Sequence, residues 1–225
     1  MSRLILKSVL GLLFLDVVLA LALFLPAGST AFWQAWVFLA VWTVCVIVIT
    51  GYLMKYDRKL LASRVQAGPI AESQKFQQLI QGLAGLFFIG LFIVPSLDFR
   101  FHWSTVPPWL SGVANGFVTL GFLVVFLVFR ANTYTSATIE VSANQTVISS
   151  GPYRLVRHPM YSGALLLLIF VPVALGSWVA LPGIVPLIGV IVLRLIAEER
   201  FLLLNLAGYD EYCHKVRYRL IPFIW

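Results

Sequence analysis

Apolar residues in this chain gather into long runs, and the lengths of those runs predict its elements. Ala31 to Met54, Phe76 to Leu97 and Leu110 to Phe129 carry no charge. Each reaches the roughly 20 residues that a helix needs to cross a hydrocarbon core. A fourth run, Ser8 to Leu25, is interrupted only by Asp16. The segment PAGSTA after it imitates a signal-peptidase site, but the next run follows too closely for a separate mature domain, so we read a retained span. Pro159 to Leu193 is also uncharged, too long for one span and barely long enough for two. It reads as a hairpin over 159–197. Pro172, Gly176 to Trp178 and Leu181 to Gly183 supply the break, because proline removes a helix donor and glycine tolerates the turn. Pro186 then lies near the start of the return helix.

The pattern predicts an all-α, polytopic integral membrane protein. It has four transmembrane spans (about 8–25, 31–54, 76–97 and 110–129), a C-terminal helical hairpin and a cytoplasmic cap. Residues 1–130 hold the N-terminal spans, and residues 131–225 hold most of the chemically capable side chains. Composition agrees: 60% apolar residues, 11% charged residues and a mean hydropathy of +0.94 exclude a water-soluble domain.

Charge sets the expected topology. Fifteen of the sixteen lysines and arginines fall on one side of the predicted spans, with Arg100 in the loop opposite. By the positive-inside rule both termini, and the cap with them, face the cytoplasm. The net charge of +7 is then topology plus attraction to anionic lipid, and no basic, aromatic groove points to nucleic acid. Cys45 falls in a span and Cys213 in the tail, so no disulfide or thiolate metal site is expected. His102, His158 and His214 lie on different loops without metal-ligand spacing. No internal repeat or glycine-rich phosphate loop is present. Gly112 and Gly116 have the spacing that lets helices approach closely, which suits packing within the chain as well as between copies.

Two polar patches remain, Ala131 to Tyr161 and Arg194 to Pro222. A hairpin returns to the side it left, so the patches are neighbours. Arg194 and Glu198, four residues apart, share one helical face. An ion pair at a helix end is the plain structural reading. His158 before Pro159 suits a helix start, and interfacial tyrosines suit an aromatic belt.

Taken in order, these residues form a longer pattern: Gly151-Pro152-Tyr153, Arg157-His158-Pro159-x-Tyr161-x-Gly163, Glu198-Glu199-x-x-Leu202, Gly208-Tyr209-x-x-Tyr212 and Arg219-x-x-Pro222. The pattern resembles the isoprenylcysteine carboxyl methyltransferase family, which is related to the phospholipid methyltransferases. The resemblance covers about Asn132 to Trp225; the N-terminal spans match only as spans. It implies a membrane enzyme that uses S-adenosylmethionine, with a lipidic acceptor entering from the bilayer. Carried over by position, it puts Gln145, Thr146, Val147 and Ile148 along the cofactor. Tyr153, His158, Pro159, Met160 and Tyr161 close around it, Glu198 binds it and Arg194 faces the substrate. Glu140 is a further contact across an alignment gap. Family members that act on prenylated protein ends carry more spans than this chain.

A sulfonium, an ammonium and a carboxylate on one cofactor call for an acidic residue, cationic or N–H donors and aromatic walls. Both patches together contain all three. A carboxylate acceptor suits Arg194 and needs no general base, whereas a phospholipid amine needs Glu199 or His158 to take a proton. A non-enzymatic transporter or scaffold is the remaining class. Asp16 supports it, while the lack of an inverted repeat or paired broken helices opposes it.

Overall fold

A computed structural model of the chain describes residues 2–65, 75–135, 141 and 145–225. Its helices are α1 (Ser2–Ala27), α2 (Trp33–Tyr56), α3 (Arg58–Val65), α4 (Lys75–Phe101), α5 (Pro108–Ala131), α6 (Pro159–Ala174), α7 (Ile184–Asn205) and α8 (Tyr209–Lys215), with short 3-10 turns at Gly151–Arg154 and Leu181–Gly183. Glu140 lies outside the described residues.

Among the described residues, five helical segments are long and apolar enough to cross a membrane: Arg3–Ala27, Trp33–Tyr56, Gln78–Phe101, Pro108–Ala131 and Leu181–Asn205. Their outward faces carry large apolar side chains, among them Phe14 at 71% exposure, Leu25 at 69% and Leu86 at 64%. Such a surface is stable against lipid and not against water. The chain is therefore a multi-pass integral membrane protein. All four N-terminal spans form; α1, α4 and α5 are a few residues longer than their apolar runs and α2 is shifted by two residues at the same length, because a helix ends at a backbone stop rather than where hydrophobicity ends. Asp57 is that stop for α2, with φ −147°. Pro107 and Pro108 start α5, where a missing N–H costs nothing.

The hairpin forms as α6 and α7. At 16 residues, α6 rises only about 24 Å. The turn after it nevertheless reaches the loop between α4 and α5. The Trp178 indole Nε1 donates to the Thr105 carbonyl at 3.1 Å, and the Trp178 N–H donates to Ser104 Oγ at 3.0 Å. Asp98, 1% exposed, fastens the two together. It accepts bonds from Ser104 Oγ and Ser177 Oγ, both at 2.5 Å. The helix end itself is a Schellman cap: Gly176, at φ +80°, donates to the Val173 carbonyl and Ser177 to that of Pro172. Pro172 sits inside α6, two residues before its end.

Within the bundle α6 packs chiefly on α5 and α7 on α4, and the two limbs touch each other sparingly. The α5–α6 contact is backbone to backbone. A Cβ on Gly121 would fall 2.7 Å from the Leu167 Cβ and 2.8 Å from the Gly163 carbonyl oxygen. Gly112 and Gly116, the pair with the expected spacing, face open space. Asp16 is not alone in its span, since Thr43 Oγ1 of α2 donates to it at 3.1 Å. A brace between α1 and α2 accounts for this carboxylate.

Candidate active site

The open end of the hairpin, opposite the Asp98 fastening, is where the polar residues meet. Pro159 begins α6 with His158 as its N-cap, and α7 delivers Arg194 and, about one turn later, the adjacent pair Glu198 and Glu199. Beyond α7 the chain turns at Gly208, φ +80°, forms α8 and runs back beneath α6. There the N–H groups of Arg157 and His158 donate to the carbonyls of Tyr218 and Arg219, at 2.9 and 3.0 Å. Ser162 Oγ adds a bond to the Leu220 carbonyl at 2.6 Å.

Glu199 locks this arrangement. Only 5% exposed, it accepts from Arg157 Nη1 at 2.5 Å and from Arg219 Nε at 2.6 Å. The rest of the Arg157 guanidinium binds the carbonyls of Val216 and Cys213. A buried carboxylate between two guanidiniums is stable only because every partner is supplied. Its two oxygens are committed to holding the tail.

Glu198 faces elsewhere. Its Oε2 accepts the Tyr161 hydroxyl at 2.5 Å, which joins α7 to α6. The Arg194 guanidinium lies in electrostatic range of Tyr161, and the His158 ring lies 6.0 Å from that of Tyr161, centroid to centroid. His158 is 5% exposed, and burial pushes its imidazole below the ordinary value, against the pull of Glu198 and Glu199. It is neutral at pH 7, and its buried Nε2 has no hydrogen-bond partner among the described residues. An orphaned imidazole nitrogen beside a carboxylate, a phenol and a guanidinium leaves polar capacity for a ligand.

Tyr153 links this group to the tail. Its hydroxyl accepts from Asn132 Nδ2 at 2.9 Å and its carbonyl from the Tyr212 hydroxyl at 2.8 Å. Burial pushes the phenol up to about 12, and Glu198 adds to the rise. The phenol stays protonated at neutral pH.

The expected site residues thus fall into three places. His158, Tyr161, Arg194 and Glu198 come together at the hairpin mouth, with Tyr153 in electrostatic range of Glu198. Val147 packs with Leu206, Tyr209 and Tyr212 under the tail, and its neighbours Gln145, Thr146 and Ile148 belong to the same extended segment, Thr146 exposed. Pro159 is buried in the first turn of α6, whereas Met160 turns toward Leu53, Leu60, Leu61 and Phe129.

One residue at the mouth was counted in the sequence only as a topological charge. Arg64, in the last turn of α3, lies in range of Tyr153, Tyr161, Glu198 and Arg194. Burial lowers its guanidinium to about 10, so it remains charged. No motif spacing marks it, because the chain crosses the bundle twice between Arg64 and Tyr161.

Comparison with known proteins adds to this geometry. Residues 110–205 match the family model for phospholipid methyltransferases. That family is related to the isoprenylcysteine carboxyl methyltransferases, and the match bears out the resemblance read from the sequence. The matched stretch covers α5, α6 and α7, including His158, Tyr161, Arg194 and Glu198. No curated protein matches the chain. Together with the membrane-length helices, the match supports a membrane methyltransferase.

Proposed function

We propose that the protein transfers a methyl group from S-adenosylmethionine to the carboxyl, or a related oxygen, of a lipidic or isoprenoid-like acceptor. Residues 131–225 form the cofactor-binding region, and the mouth and both termini face the cytoplasm. The observation that carries this reading is the meeting of Tyr161 with Glu198 and Arg194 across the open end of the hairpin. The residues present suit the cofactor: a carboxylate for its cationic groups, guanidinium donors for its carboxylate, tyrosines for its rings, and an orphaned His158 nitrogen.

S-Adenosylmethionine, when bound, supplies an electrophilic methyl group on a positively charged sulfur. Glu198 and Tyr161 fix the cationic side of the site, with Gln145 to Ile148, Tyr153, His158, Pro159 and Met160 around it. Arg194 holds the acceptor oxyanion through its planar fork. Alignment of oxygen, methyl carbon and sulfur is the main contribution of these side chains. With the acceptor oxyanion held by Arg194, a site built among apolar helices would favour a transfer in which the C–O bond forms as the methyl carbon–sulfur bond breaks and the two opposite charges cancel. No side chain needs to move a proton.

A second reading, N-methylation of a phospholipid headgroup, is favoured by the description of the matched family and by His158. A neutral imidazole with a buried, partnerless Nε2 is suited to take the ammonium proton. Glu199, bound by two arginines, is not.

The test is to incubate the purified chain with radiolabelled S-adenosylmethionine and a lipid extract, then treat the products with mild alkali. Release of label as methanol is expected for an ester. Label that persists identifies N-methylation, and no transfer to any lipid fraction overturns both readings.

A further inference from the structure

The tail turn at 220–225 is tightly built, yet its outer face touches nothing. The N–H groups of Leu220 and Ile221 both donate to the Trp225 carbonyl, at 2.9 and 3.0 Å, and those of Ile224 and Trp225 donate back to the Ile221 carbonyl, each at 3.1 Å. Pro222 has no N–H to satisfy. Phe223 holds the bend at φ +67°, a left-handed conformation that a bulky side chain rarely adopts. Its ring lies 5.4 Å from that of Tyr218, and the Arg219 guanidinium lies 5.5 Å from the centre of the Trp225 ring. Outward the turn presents Phe223 at 87% exposure and Ile224 at 76%, with Ile221 beside them. A strained turn that displays apolar side chains marks a contact surface.

Depth says what that surface meets. Ser162, in the first turn of α6, donates to the Leu220 carbonyl and so fixes the level of the turn. The next residue, Gly163, packs against the apolar part of α5: a Cβ there would fall 3.0 Å from Val124 Cγ1 and 3.1 Å from the Gly121 carbonyl oxygen. Arg130, the one charged residue of α5, comes six positions after Val124, about 9 Å further along the helix. The start of α6, and the turn bound to it, therefore lie below the charged end of α5, at the level of its lipid-facing side chains. Backbone at that depth must satisfy its own polar groups, as four N–H groups of this turn do.

Charge agrees with depth. Between Tyr212 and Trp225 the chain has no acidic residue, and Lys215, Arg217 and Arg219 lead into the turn. Lys215 and Arg217 are exposed. Basic residues followed by exposed aromatic and aliphatic ones suit a phosphate layer with acyl chains beneath it.

We propose that the turn at 220–225 is a membrane anchor, with Phe223 and Ile224 seated among the acyl chains of the leaflet at the hairpin mouth and Lys215 and Arg217 at its phosphates. The same strand carries Arg219, which holds Glu199, so the anchor ties one wall of the mouth to the bilayer. The inference does not depend on the methyl donor.

The test uses the full chain in lipid nanodiscs of phosphatidylcholine with one-fifth phosphatidylglycerol, one copy per disc. Bimane is attached at Ile224→Cys, and separately at Glu211→Cys on the exposed face of α8, with Cys45→Ala and Cys213→Ser in both. Lipid carrying a doxyl group at carbon 5 should quench the label at position 224 at least twofold, and aqueous iodide should quench it at least fivefold less than at position 211. Equal iodide quenching at the two positions overturns the proposal. Shielding from iodide without quenching by the doxyl lipid also overturns it, since that is the pattern of a protein cover. Should the labelled chain not remain monodisperse, Trp225 carries the test: the emission lost in Trp225→Phe should be quenched at least twofold by lipid brominated at carbons 6 and 7. Emission from Trp225 that brominated lipid leaves unchanged overturns the proposal as well.

Discussion

Tyr161 and Glu198 are joined by a 2.5 Å hydrogen bond that spans the two limbs of the hairpin. Removing the hydroxyl leaves the carboxylate without this partner, at a cost typical of bonds to charged groups, about 1.5–3 kcal/mol. Tyr161→Phe should therefore weaken S-adenosylmethionine binding by roughly ten- to a hundredfold. Calorimetry on the purified variant checks it, and unchanged affinity would remove Tyr161 from the site.

Arg194 lies in range of the same tyrosine but is assigned to the acceptor. Arg194→Ala is expected to retain cofactor binding within a few-fold and to lose turnover by at least a hundredfold, on the order of 3 kcal/mol in the barrier. Parallel binding and transfer assays decide it. Loss of both together counts against the assignment.

The Glu199 lock predicts a stability effect. Glu199→Gln leaves Arg157 and Arg219 buried beside a neutral amide, and breaking such a pair typically costs about 3–5 kcal/mol. Thermal unfolding in detergent should shift down clearly, with the tail becoming the first segment open to protease. A melting temperature equal to that of the wild type would show that the lock contributes little.

His158 predicts a pH dependence. Burial holds its folded-state value below the ordinary 6.5, so the unfolded chain binds this proton more readily. Stability is then complete above about pH 6.5 and falls as the pH drops from there toward the folded value. Melting curves between pH 7.5 and 5 should show a slope that His158→Gln reduces. An identical slope in the variant would assign it to other groups.

Much of this architecture is legible in the sequence because hydrocarbon imposes a simple length rule. Four spans and the hairpin break follow from uncharged runs and from Pro172, Gly176 and Gly183. The nearness of His158, Tyr161 and Glu198 follows from hairpin geometry alone. Pairings between distant segments carry no such rule. Gly112 and Gly116 have the recognised spacing and face open space, whereas the close contact is made by Gly121 and Gly163, single glycines on separate helices. Nothing in spacing couples Asp98 to Ser177, or Glu199 to Arg219. Arg64 was hidden for the same reason: an arginine in a short polar helix is an ordinary positive-inside charge until packing shows where its guanidinium rests.

The hairpin limbs lean on different neighbours, α6 on α5 and α7 on α4, and meet each other only lightly. A molecule gripped by Tyr161 on one limb and Glu198 on the other therefore acts as a rivet through two plates. Saturation at a hundred times the dissociation constant adds about 2.7 kcal/mol to folding, and much of that gain should appear as slower hydrogen exchange along both limbs.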